Sequence, residues 1–180
     1  MYKEQIRWAY TLQGGNLSKN EQDTVLKFVL LFNVFEARLF NPGQVNPRLT
    51  EMCEDLNNEK WFCVKEYDRY GRFFVDRYII NAEGNNRLRH LKRGMNQENT
   101  ERLKNALTLL RHGQHDTDLF YSYLQIAYGF RNNLFHGSKE VLCLNLYYSC
   151  FRQINWLIHK LLSDMVDQNF KGLENKYPRR

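Results

Sequence analysis

Within residues 116–137, Phe120, Leu124 and Ala127 recur at helical spacing, and the next step of that period falls on Arg131. An apolar stripe of this kind predicts a core helix. A guanidinium at its end cannot shed its charge, so the stripe requires an acidic partner or an anionic ligand there. His136 stands just before Gly137, and glycine in that place suits a helix terminator with a left-handed backbone. The imidazole is therefore expected at a chain reversal, close to the arginine.

The chain around this stretch reads as helix. Only three prolines interrupt 180 residues, and one domain with a sizeable core fits that length. Ser18-Lys19-Asn20-Glu21 has the order of a capping box, which predicts a helix to about Phe40, ended by Asn41-Pro42-Gly43. Val25, Val29 and Phe32 form one stripe on it, continued by Glu36, while Leu26, Leu30 and Val34 form another. A helix with two such stripes is expected to be buried on two sides, against the chain's own core and a second subunit. Glu36 and Arg131, opposite charges on apolar stripes, are expected to meet.

A short helix is predicted between Pro47 and Asn58, with Leu49, Met52, Cys53 and Leu56 on one side. Residues 60–80 are rich in aromatics, whose expected role is packing; a helix interrupted near Gly71 fits them, with a hairpin as the alternative. Residues 97–112 form an amphipathic helix ended by Gly113. His112 and His115 beside Asp116 and Asp118 have the look of a metal site, but a C-terminal histidine followed by an N-capping aspartate explains them. Asp116 should open the helix of the central stretch. A last and longest helix is predicted over about 139–170, carrying Cys143, Tyr147, Cys150, Ile154, Leu157, Leu161 and Met165. Residues 1–17 read as an N-terminal arm or helix and 171–180 as a frayed tail.

The net charge of +6 and pI near 9.1 favour a polyanionic partner such as RNA. Arg87, Arg89, Lys92 and Arg93 form the densest cationic cluster and could grip a phosphate backbone independently of base sequence. Four cysteines without a Cys-x-x-Cys pair read as reduced core residues of a cytoplasmic protein. No apolar run approaches the roughly 20 residues that cross a bilayer, so no membrane partner is expected. Walker loops, zinc-finger cysteine sets and Gly-x-Ser-x-Gly elbows are absent from the sequence, which removes several enzyme classes.

Arg131-Asn132 followed by His136, with four residues between arginine and histidine, resembles the signature of HEPN domains (higher eukaryotes and prokaryotes nucleotide-binding). The resemblance implies an all-α fold, a single helical-bundle domain of HEPN type over residues 1–180, acting as a homodimer. It also implies a metal-independent endoribonuclease of the toxin or phage-defence kind, needing no cofactor, with Arg131 and His136 catalytic and Asn132 in support; Glu36, meeting Arg131 as its stripe suggests, would orient it. An antitoxin or regulatory protein would be a further partner. Toxins of this family that pair with a nucleotidyltransferase antitoxin carry a tyrosine two residues beyond the histidine; Ser138 stands there in this chain, which speaks against inactivation by tyrosine modification. The alternative is a catalytically inactive HEPN-like module that binds nucleotide or RNA, or serves dimerisation.

Overall fold

The computed structural model describes residues 17–39, 45–80, 87–88, 91, 96–135, 144 and 146–170. Among them there is no strand, and six α-helices carry the fold: α1 (Lys19–Leu39), α2 (Val45–Asn57), α3 (Asp68–Val75), α4 (Gln97–Arg111), α5 (Asp118–Phe135) and α6 (Tyr148–Asp167). The described residues group into two compact units, one drawn from 17–39 and 133–170 and the other from 45–132.

In the first unit, α1 starts as its sequence demands. Ser18 N–H donates to Glu21 Oε2 (2.7 Å) while Glu21 N–H faces Ser18 Oγ (3.4 Å), the two halves of a capping box. Its buried face is Val25, Phe28, Phe32, Phe35 and Leu39. Val29 is only half-buried, so the core stripe turns away from the Val29–Glu36 line expected from spacing. Three phenylalanines decide that rotation, because they bury more apolar area than valine. Phe28 meets Phe32 at 5.4 Å and Phe151 of α6 at 5.0 Å between ring centroids. Asn155 Nδ2, inside the same contact, donates to the Thr24 carbonyl (2.9 Å).

α6 begins at Tyr148, so it is 20 residues long against 21 for α1 and is not the longest helix. Residues 139–143 lie outside the described residues, and 146–147 form a 3₁₀ turn. The expected stripe holds within α6, where Cys150, Ile154, Leu157, Leu161 and Met165 are all buried. The helix ends on Asn169 at φ 51°, with Asn169 N–H donating to the Val166 carbonyl (3.1 Å) and Phe170 N–H to Met165 (2.8 Å), a Schellman closure.

The second unit is laid around α5, whose residues 119–130 are all buried. α3 runs beside it in the same direction, since Tyr67 meets Phe120 (4.9 Å), Tyr70 meets Tyr123 (5.0 Å) and Phe74 meets Phe130 (6.5 Å) in rising order. Helix persists through Gly71, contrary to the interruption expected there; the coil widens instead into a π turn at Asp76–Ile80. Gly71 is present for clearance. A Cβ there would overlap the Tyr123 hydroxyl and come within 2.5 Å of Leu110 Cδ2. On α2, Leu49, Met52, Cys53 and Leu56 are buried as the spacing predicts. Cys63, by contrast, is exposed and is not a core residue, because it sits in the short extended link before α3.

α4 is capped by Asn96, whose side chain accepts from Asn99 N–H (2.8 Å), and closes on Gly113 at φ 75° in a second Schellman motif. His115 is held by Asp68, its Nε2 lying 2.9 and 3.1 Å from the two carboxylate oxygens. That bond, rather than the helix dipole alone, accounts for the histidine. α5 begins at Asp118, two residues beyond the expected Asp116, whose carboxylate accepts Asp118 N–H (2.9 Å). Arg102 of α4 grips Asp118 through two bonds, Nε to Oδ2 (3.0 Å) and Nη2 to Oδ1 (2.6 Å), and lies 4.2 Å over the Tyr121 ring.

These contacts set two tests. Hydrogen bonding from Arg102 holds the Asp118 carboxyl below its usual range, so its contribution is present above about pH 4 and is lost as pH falls through the lowered folded value. Asp118→Asn should therefore cost on the order of 1 kcal/mol at pH 7, after solvent screening of a partly exposed pair. Urea unfolding of both proteins should converge at pH 2. Gly71→Ala should cost about 1–3 kcal/mol by overpacking, and Tyr123→Phe should recover part of that loss in a double-mutant cycle.

Candidate functional site

α5 delivers Arg131 to the point where its burial ends. Phe130 is 7% exposed, whereas Arg131 and Asn132 are half-buried and Asn133 is buried again. The arginine's Nε is shielded from solvent, while Nη1 donates to the Asn132 side-chain oxygen (3.2 Å). The polar residue directly after the arginine thus orients one arm of its fork. The guanidinium is a planar fork of donors, a shape that suits oxyanions such as carboxylate and phosphate.

α5 ends at Phe135, one residue before His136. His136 itself, with Gly137 and Ser138, lies outside the described residues, as do Arg89, Lys92 and Arg93. Glu36 is half-buried on α1, in the unit that does not contain Arg131. Arg87 is half-buried, and next to it Leu88 is 2% and Leu91 3% exposed.

One determinant was not recognised from the sequence. Gly129, two residues before Arg131, faces Leu91 so closely that a Cβ would sit 2.7 Å from Leu91 Cδ1 and 3.2 Å from its carbonyl oxygen. Leu91 is thus packed directly on α5, two residues before Arg131. A glycine inside an otherwise apolar helix was the available signal, since such a residue weakens the helix unless a neighbour needs the space.

Burial pushes the Cys53 thiol far up, which keeps it protonated and unreactive. Burial likewise raises Tyr121 and Tyr123. Among the described residues, no group of three or more His, Cys, Asp and Glu side chains is placed to hold a metal ion, and no helix is long and apolar enough to cross a membrane.

Compared with known proteins, the chain matches no family model, no curated protein and no solved structure.

Gly129→Ala would force Leu91 and its backbone away from α5. The expected result is a loss of about 1–3 kcal/mol in chemical unfolding. Unchanged stability would mean that Leu91 does not rest on this glycine.

Proposed function

We propose that the chain is a metal-independent endoribonuclease of HEPN type, acting on cytoplasmic RNA as a homodimer and serving as a toxin or phage-defence effector. The observation that carries this reading is Arg131, half-buried at the end of α5, with its Nη1 bonded to Asn132. RNA breaks without metal when its own 2′-hydroxyl attacks the adjacent phosphorus. The hydroxyl proton passes to a base, the 5′-oxygen leaves with a proton from an acid, and a 2′,3′-cyclic phosphate and a 5′-hydroxyl remain.

Imidazole suits both proton steps because its ordinary pKa of about 6.5 lies near working pH. One chain supplies one His136 in this motif, so two copies around one cleft would supply both acid and base. Arg131 would stabilise the charge that builds on the phosphorane, Asn132 would hold Arg131 in line, and Glu36 is a supporting residue. The basic stretch would bind the flanking backbone and add a salt-dependent, sequence-independent share of affinity. An antitoxin or regulatory protein would restrain such an activity in the cell.

The test is labelled RNA incubated in EDTA with wild type, His136→Ala and Arg131→Ala. Wild type should yield cyclic-phosphate ends, and each variant should lose at least about a hundredfold in rate, the scale of a general acid or base, with unfolding curves unchanged. RNA bound but never cut would instead establish the inactive binding module, and neither activity would overturn both readings.

A further inference from the structure

α1 carries two apolar stripes, and its own unit uses one of them. Phe28, Phe32 and Phe35 are at most 1% exposed, whereas Leu30 and Val34 on the other side keep 57% and 49% of their surface in water. α6 repeats the division, with Met165 fully buried and its neighbour Val166 64% exposed. Between the two helices runs an open groove of about 300 Å³, lined by Leu31 of α1 and by His159, Leu162, Ser163, Val166 and Asp167 of α6. Leu31 and Leu30 lie one helical turn from Val34, so the groove and the exposed stripe are continuous.

Single exposed leucines are ordinary on a protein surface; contiguous ones on two packed helices mark a contact face. Of its lining residues only His159 carries a ring, the others are aliphatic or small apart from the anionic Asp167, and no Lys or Arg lines it, so a nucleic-acid strand is a poor occupant. Its charges suit a copy of the same chain. α1 presents the exposed cations Lys27 and Arg38, and α6 ends on the exposed Asp167. In a two-fold assembly every contact occurs twice. Laying α1 of one copy on α6 of the other thus pairs basic edge with acidic end on both sides, while the leucines and valines close over each other.

We infer that the α1–α6 face is covered by a second copy of this chain in an isologous dimer. The inference concerns the first unit alone and goes beyond the proposed function, whose Arg131 lies in the second.

The full chain, without RNA, is measured by sedimentation at tens of micromolar, the range in which a modest interface is occupied. Wild type should show twice the 21.8 kDa chain mass. Val34→Glu should raise the dimer dissociation constant at least about tenfold, as expected for a residue central to an interface, with the circular dichroism spectrum unchanged. Arg38→Glu should weaken the dimer, and adding Asp167→Arg should restore it, a rescue that a merely structural effect would not give. Ile80→Glu, at a 50% exposed position in the other unit, should leave it intact. A monomeric wild type would leave the groove to a different partner and overturn the inference, as would a dimer indifferent to Val34→Glu and the charge reversals. RNA cleavage is scored separately: a dimer through this face that cuts nothing overturns the nuclease and keeps the face, whereas a cutting monomer overturns the face.

Discussion

A helix with no side in water has to settle its polar groups internally, and α5 imposes that condition on everything packed around it. Ser122 donates to the Asp118 carbonyl (2.8 Å), Gln125 donates to the Tyr121 hydroxyl (2.7 Å), and Tyr70 reaches across from α3 to the Tyr123 carbonyl (2.9 Å). Each of these bonds offsets a desolvation cost of one to several kcal/mol that an unpaired buried polar group would carry. The Arg102 fork on Asp118 fixes the first turn, where a carboxylate also complements the helix dipole. A helix so constrained at its start and along its length leaves its last turn as the place where a charged side chain can meet solvent. Arg131 stands there.

Two glycines then set how closely other segments approach α5. Gly71 on α3 clears the Tyr123 ring and Leu110, bringing α3 near both α5 and α4. Gly129 admits Leu91 close to the arginine end. Neither glycine serves a turn. Both exchange some helix propensity for a backbone approach that any side chain would block, and interiors packed near crystalline density make that exchange worthwhile.

Local signals in the chain were legible where the interaction they encode is local. The Ser18–Glu21 box, the Gly113 terminator and the buried side of α2 fall where spacing puts them, because each depends on residues within one or two turns. The errors have a common origin. Gly71 was taken for a break, though its cause lies in Tyr123, far along the chain. The stripe of α1 was set on Val29, although ring contacts with Phe151 rotate the helix onto Phe28 and Phe35. The His112–His115 pair was explained by dipole and capping alone, yet His115 has a partner in Asp68.

Sequence alone determined that the chain is helical, where most of its helices begin and end, and that Arg131 with Asn132 closes an apolar run; these follow from periodicity, capping and the fixed charge of a guanidinium. Tertiary structure decided which faces are spent on the core and which are left over, and that Leu91 sits on Gly129 beside the arginine. Such outcomes come from contacts between residues far apart in the chain, and packing, unlike periodicity, has no fixed spacing by which to be read in advance.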